Sequence, residues 1–270
     1  MKRKIHIKLL LILSLVAILL ICACEMESEE GIATNRSLKA NLAKKPLIET
    51  KPLLYPCNAK YTSTKAAKMA RAAKGILSNV YAPLAELIVR KFQLAEKEGI
   101  GIDVGSGPGT LIVELCKRTR MHWINADINP HFFPEFLKRA TEAELVGRVS
   151  AIFADVHAFP FRDNYADIIV SRGSVRFWEN KRLAFSEIYR VLKPGGVTFI
   201  GHGFSDNLPM DVARRIRAAR EGELLKCNVA EMESEIDKIM RALEIETYRI
   251  HIPQSPDNSM NYGIWIEIQK

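Results

Sequence analysis

The chain predicts an α/β fold, a doubly wound and mostly parallel sheet of seven strands that ends in an antiparallel hairpin. Three observations carry that expectation. From Ile100 onward, short β-branched runs alternate with amphipathic stretches, the rhythm of a parallel sheet covered by helices on both faces. The first strand, Ile100–Val104, runs into Gly105-Ser106-Gly107-Pro108-Gly109 and then into a helix from Thr110, a device that brings bare backbone against a nucleotide ligand. The last two apolar runs, Glu244–Ile252 and Tyr262–Ile268, are joined by a Pro/Ser/Asp/Asn-rich loop with no helix between them, so they are most simply antiparallel neighbours.

The elements follow in order. Thr62–Ala73, rich in Ala and Lys, and Tyr81–Phe92, with Pro83 read as a first-turn proline, are expected as helices before the sheet. Helix Thr110–Arg118 leads to strand His122–Asp127. A helix around Pro134–Leu145 leads to strand Val149–Ala154, and the strand Ala166–Ser171 follows. Helix Lys181–Leu192 stops at Lys193-Pro194-Gly195-Gly196, where Pro and Gly forbid continuation, and strand Val197–Gly201 comes next. Two further helices, Met210–Glu221 and Val229–Leu243, precede the closing hairpin.

The chain of 270 residues also carries a segment unlike the rest. Met1-Lys2-Arg3-Lys4 is basic, and Leu9–Ile21 is apolar apart from Ser14, short for a membrane span and right for the centre of a secretory signal. Ile21-Cys22-Ala23-Cys24 resembles a bacterial lipoprotein cleavage box, with Ile21 where Leu is usual. That resemblance implies a lipid on Cys24, the other readings being an uncleaved anchor and a mis-called start. Residues 1–24 are therefore expected as signal peptide or membrane anchor, 25–60 as a tether without clear period, and 61–270 as the folded domain. The expected location is membrane-associated, lipid-anchored through Cys24, or with a cytoplasmic catalytic domain if the segment is not an export signal.

Formal charge is +8, but residues 1–24 hold four bases and no acid, so the remainder has 35 basic against 31 acidic residues. That balance does not argue for a nucleic-acid partner. Cys57, Cys116 and Cys227 are far apart and form no metal-type spacing, so no metal is implied.

Five stretches in sequence order carry a family resemblance. Ile102-Asp103-Val104-Gly105-Ser106-Gly107-Pro108-Gly109-Thr110 resembles the first motif of class I S-adenosylmethionine-dependent methyltransferases. Asp127, 22 residues after Gly105, is similar to the acid that ends their second strand. Ala154-Asp155-Val156 resembles the third-strand motif, Tyr165–Ser171 the fourth, and Glu187–Gly196 the helix and turn before the fifth strand. The likeness is nearest to the methyltransferase type 11 branch, which includes ubiquinone/menaquinone-biosynthesis-like enzymes, and covers roughly residues 61–270.

The resemblance implies a Rossmann-like methyltransferase fold, S-adenosyl-L-methionine as cofactor, and in-line methyl transfer to a small-molecule acceptor. Asp103, Gly105, Ser106, Gly107 and Gly109 would receive its amino-acid end, since glycines leave room against bare backbone. Asp127 would accept both ribose hydroxyls, Ile128 would cover adenine, and Asp155 with the Val156 amide would read the adenine edge. Taken alone, Asp127 and Asp155 also read as turn or cap residues.

Acceptor contacts are expected at the ends of the fourth and fifth strands, from Ser171, Arg172 and His202. Arg172 reads equally as an anion clamp or a scaffold cap, Trp178 chiefly as packing, and His202 chiefly as a structural residue, although it is the one histidine placed to act as a base. Asp167 is expected to organise the start of the fourth strand, and Tyr81 is a pocket candidate. Two alternatives stand beside the enzyme reading. One is a membrane-tethered binding module that keeps this fold without activity. The other is an NAD-dependent oxidoreductase, weakened because Thr110 occupies the third-glycine position of its fingerprint.

Overall fold

The computed structural model describes residues 61–219 and 228–270. The expected signal or anchor, the tether and Cys24 lie outside them. Helix α1 (Ser63–Lys74) begins at Thr62, whose hydroxyl accepts the Lys65 amide hydrogen at 3.2 Å and so satisfies one of the unpaired first-turn donors. Helix α2 spans Ser78–Lys91, so Pro83 sits inside it and not in its first turn. The earlier start is held by an i→i−3 turn carried over from α1, in which Ser78 N–H donates to the Gly75 carbonyl and Val80 N–H to that of Leu77, each at 3.0 Å.

The remaining elements are β1 (Ile100–Val104), α3 (Thr110–Cys116), β2 (His122–Asp127), α4 (Phe133–Glu142), β3 (Val149–Phe153), β4 (Ala166–Arg172), α5 (Lys181–Val191), β5 (Leu192–Gly203), α6 (Met210–Ala219), α7 (Val229–Ala242), β6 (Tyr248–His251) and β7 (Gly263–Ile268). They build one seven-stranded sheet in the order β3-β2-β1-β4-β5-β7-β6. The first five strands are parallel; β7 runs antiparallel to β5, and β6 antiparallel to β7. The expected hairpin is present, with β7 inserted between β5 and β6.

Alternation along the strands assigns the two faces. Trp123, Ile168, Val170, Phe199 and Trp265 face a core built with α1, α2, α3, α4 and α6. Ile102, Val104, Ile124, Ile169, Ile200 and Ile266 face the other core, with α5 and α7. The Phe199 and Trp265 rings stack at 4.6 Å, joining the antiparallel β7 to the parallel sheet by apolar burial, worth about 1.5–3 kcal/mol for a large side chain. Trp178 is buried edge-on against Phe185 at 5.5 Å, which makes it packing.

Strand β5 begins earlier than expected, at Leu192, and carries Pro194-Gly195-Gly196 as an irregularity: Ala166 pairs Leu192, then Ile168 pairs Val197. The chain end fills that gap, because Gly195 N–H donates to the Lys270 carbonyl and Lys270 N–H to that of Gly196. Strand β6 starts later than expected, since α7 is followed by Glu244 in the left-handed region (φ 55°). Asp167 does organise the strand start: its carboxylate accepts the Ile100 amide hydrogen at 2.8 Å and pairs with Lys193 Nζ at 2.7 Å. No helix among the described residues is long and apolar enough to cross a membrane.

Candidate cofactor and acceptor sites

Parallel pairing of β3, β2, β1, β4 and β5 puts their C-terminal ends on one edge of the sheet. Asp155, Asp127, Asp103, Arg172 and His202 thus share an edge, although they are spread over a hundred residues of sequence. At its middle the chain leaves β1 through a turn built on polar clasps. Gly105 N–H donates to the Ala126 carbonyl at 2.7 Å. The Gly107 peptide is held at both ends: its N–H donates to Asp127 Oδ2 at 2.7 Å, and its carbonyl accepts from Asn125 Nδ2 at 3.0 Å. The second Asp127 oxygen accepts the Asn129 amide hydrogen, also at 2.7 Å.

The glycines of this turn are bare for different reasons, which corrects the expectation that all of them make room for a ligand. A Cβ on Gly105 would overlap the Ser174 side chain, and one on Gly109 would overlap the Phe136 ring, so protein neighbours already forbid a side chain at both. Gly107 differs. With φ at 57° it needs glycine for its conformation, and nothing but the edge of Phe132, at 3.9 Å, faces its missing side chain. That is the open point of the turn.

Asp103 and Asp127 are both buried. Burial pushes Asp103 up to about 7, against a lowering influence of the nearby Ser106 hydroxyl and with a further rise from the neighbouring Asp127 charge. Burial likewise raises Asp127 to about 6, opposed by the amides of Asn129 and Gly107. Two buried acids side by side, without a cation on either among the described ion pairs, suit a ligand that brings positive charge.

At the end of β3, Asp155 acts as a cap. Its Oδ1 accepts the His157 amide hydrogen at 2.9 Å and lies 2.7 Å from His157 Nδ1. Because His157 Nε2 accepts the Asn180 amide hydrogen at 3.2 Å, the neutral ring carries its proton on Nδ1 and donates it to Asp155. The Asp155 side chain is 44% exposed, which leaves its other oxygen accessible. Val156 is buried beside it, and Ile128 is half-buried after β2.

The acceptor candidates divide. Ser171 is a scaffold residue, a correction to its expected place in the acceptor pocket. Its hydroxyl donates to the Val104 carbonyl at 2.8 Å and sits 2.6 Å from the Ser174 hydroxyl, which reaches the same carbonyl at 2.9 Å. Those bonds tie the end of β4 to the end of β1. Arg172 donates from Nε to the Gly203 carbonyl at 3.2 Å and lies over the Tyr81 ring at 5.3 Å. Arg172 and His202 both line a cavity of about 760 Å³, together with Phe204, Ile216, Arg217 and Gln254. Tyr81, buried in the core, does not line it, and neither does the glycine-rich turn.

Sequence reasoning missed Asn125, Asn129, Ser174 and Arg217. Asn125 had a visible signal, a carboxamide at an inward position of a buried strand, where a polar group must be satisfied. Ser174 and Arg217 had none, since the carbonyls they donate to, on Val104 and Asn261, are distant in the chain. No cluster of metal-ligating side chains occurs among the described residues.

Comparison with known proteins bears on this geometry. The family model described as "Methyltransferase domain" matches residues 102–200, which run from the first strand through the fifth. A solved structure from Methanococcus maripaludis, assigned as an S-adenosyl-L-methionine-dependent methyltransferase, is 33% identical, with a TM-score of 0.70, over 79% of this chain and 95% of that one. The chain belongs to the S-adenosyl-L-methionine-dependent methyltransferase family.

Further relatives of this methyltransferase-family chain are shorter matches. It is 32% identical over 96 residues to the chloroplastic 2-methyl-6-phytyl-1,4-hydroquinone methyltransferase of Arabidopsis thaliana, covering 35% of this chain and 27% of that protein. It is 33% identical over 97 residues to the ubiquinone/menaquinone biosynthesis C-methyltransferase UbiE of Vibrio vulnificus, covering 35% and 37%. The chain thus spans about a quarter to two-fifths of the length of these curated relatives. The fold is also that of a methyltransferase structure from Aquifex aeolicus at 16% identity and a TM-score of 0.54, over 77% of this chain and 98% of that one.

Proposed function

We propose that this protein binds S-adenosyl-L-methionine at the glycine-rich turn and methylates a small-molecule acceptor seated at the ends of β4 and β5. The observation that carries the reading is the Gly107 peptide, clasped by Asp127 and Asn125 with open space before its Cα and the buried Asp103 nearby. These residues fit a ligand with an ammonium, a hydroxyl-bearing sugar and a flat base. Asp103, helped by Ser106, would receive the ammonium. Asp127 would accept the ribose hydroxyls with lone pairs left over from its two backbone bonds. Ile128 would lie against the adenine, and Asp155 and the Val156 amide would read its edge. When bound, the cofactor supplies a methyl group on a positively charged sulfur.

In-line transfer asks the chain mainly for alignment, with the reacting atoms near ~3 Å apart. A base is needed only for an acceptor that arrives protonated, and His202 is the imidazole at that end of the sheet. In the same reading, residues 61–270 are the catalytic domain, and Cys24, the first residue of the mature chain, attaches it to a membrane through a lipid on its sulfur.

Calorimetric titration of the full chain with S-adenosyl-L-methionine, beside NAD, tests the central claim. Saturable binding of the former and none of the latter is expected. No heat from S-adenosyl-L-methionine, or equal binding of both, overturns it.

A further inference from the structure

The cavity beside Arg172 and His202 has a lopsided chemistry. Leu77, Phe204, Ile216 and Ile252 give it apolar walls; among the described residues its cationic side chains are Arg172 and Arg217, and no carboxylate lines it. Arg217 is the informative residue. It projects from α6, is half-buried, and donates from Nη2 to the Asn261 backbone carbonyl and, at 3.4 Å, to Asn261 Oδ1. Its Nε and Nη1 hydrogens have no acceptor and its charge has no carboxylate partner among the described residues. Asp257, on the loop that also holds Asn261, is committed to Arg214 at 2.8 Å and to Ser255 and Ser259 at 2.7 Å each. The guanidinium carbon of Arg217 lies 6.0 Å from the centre of the Phe204 ring, beside the cavity.

A half-buried guanidinium with no carboxylate partner among the described residues is costly, and burial accordingly pulls Arg217 below its ordinary value. The cost is recovered when an anion enters, because the fork of N–H groups matches two oxygens of one carboxylate or phosphate. A neutral acceptor would fill the apolar walls and leave that charge uncompensated. We infer that the methyl acceptor is an amphiphilic anion, an apolar body bearing a carboxylate or phosphate that Arg217 reads within this cavity. The inference rests on the methyltransferase reading above, which makes this cavity the acceptor site.

The test uses the full chain with three probes of equal apolar length: octanoate, octyl phosphate and 1-octanol. Each is titrated calorimetrically with S-adenosylhomocysteine present, and S-adenosylhomocysteine itself is titrated separately. At least one anion is expected to bind about ten-fold or more tighter than octanol, the scale of one charge-assisted hydrogen bond. Preference for octanoate assigns a carboxylate, and preference for octyl phosphate assigns a phosphate. Arg217→Gln is expected to reduce the favoured anion to the level of octanol while S-adenosylhomocysteine binds as before.

Octanol binding as tightly as both anions, or an anion preference that survives in Arg217→Gln, overturns the inference. Should that variant not fold, the wild type still decides: the favoured anion must raise its unfolding midpoint and octanol must not, and equal shifts overturn the inference. Failure of S-adenosylhomocysteine to bind the wild type overturns the methyltransferase reading and the acceptor role with it. Failure of the anion arms alone leaves that reading standing and removes only the charge of the acceptor.

Discussion

Asp127 holds the glycine-rich turn from the neighbouring strand, its Oδ2 accepting the Gly107 amide hydrogen at 2.7 Å while its Oδ1 accepts that of Asn129. One carboxylate therefore shapes the turn and still presents lone pairs at its surface. Asp127→Asn has a single acceptor oxygen for two buried amides, so one N–H loses its partner. A loss of about 1–3 kcal/mol is expected in denaturant unfolding. S-adenosyl-L-methionine affinity should fall about ten-fold or more, since a charged acceptor is replaced by a neutral one. Unaltered affinity would remove Asp127 from the proposed ribose site.

The glycines should respond differently to alanine. Gly107→Ala meets open space and is charged mainly for its left-handed backbone, about 1–2 kcal/mol. Gly109→Ala pays for a left-handed backbone as well and must also displace Phe136, adding about 1–3 kcal/mol of overpacking. Chemical denaturation of the two variants is expected to rank Gly109→Ala as the less stable, and calorimetry to find cofactor binding impaired in Gly107→Ala even where it is folded. The reverse order of stability would contradict the contacts around the turn.

The buried acids set a pH dependence. Asp103 titrates near about 7 and Asp127 near about 6 in the folded chain, both above the ordinary value of 3.8. Between those values the folded chain binds more protons than the unfolded one, so these groups favour folding at low pH and that contribution declines as pH rises from about 4 to about 7. Thermal unfolding without ligand should show this decline, flattened in Asp103→Asn. Cofactor affinity should move the other way, rising from pH 5.5 to 7.5 as Asp103 ionises to receive the ammonium. An affinity that is level over this range, or a slope kept in Asp103→Asn, counts against that assignment.

Ser171→Ala removes one of two hydroxyls on the Val104 carbonyl, and Ser174 keeps the other. The expected cost is about 1 kcal/mol of stability with binding of octanoate or octyl phosphate unchanged. A drop in affinity for those probes at full stability would return Ser171 to the acceptor pocket.

For the N-terminal segment, metabolic labelling with a radioactive fatty acid is expected to mark the wild-type protein and to vanish in Cys24→Ser. Label that persists in the variant, or never appears, rules out a lipid on Cys24.

Much of the fold was legible because burial imprints a local pattern. Ile102 and Val104 face one core while Trp123 and Phe199 face the other, and an alternation of that kind can be read from neighbouring residues alone. Element ends were less legible. Pro83 looks like a helix start until the turn from Gly75 to Val80 places it in the middle of α2, and Pro194-Gly195-Gly196 looks like a break until Lys270 pairs with it. Both depend on hydrogen bonds to backbone that the local sequence does not announce.

The sequence by itself determined the order of strands and helices, the turn from Gly105 to Gly109, and the chemical types at each strand end, since these follow from periodicity, backbone freedom and residue class. Tertiary structure alone decided which of those groups are already committed. It tied Ser171 and Ser174 to Val104, made Asp155 a cap for His157, set Phe136 against Gly109, and placed Arg217 beside the cavity with no carboxylate partner among the described residues. The reason is physical: a hydrogen bond or an ion pair forms between atoms a few ångströms apart, and here the partners lie up to 70 residues away along the chain.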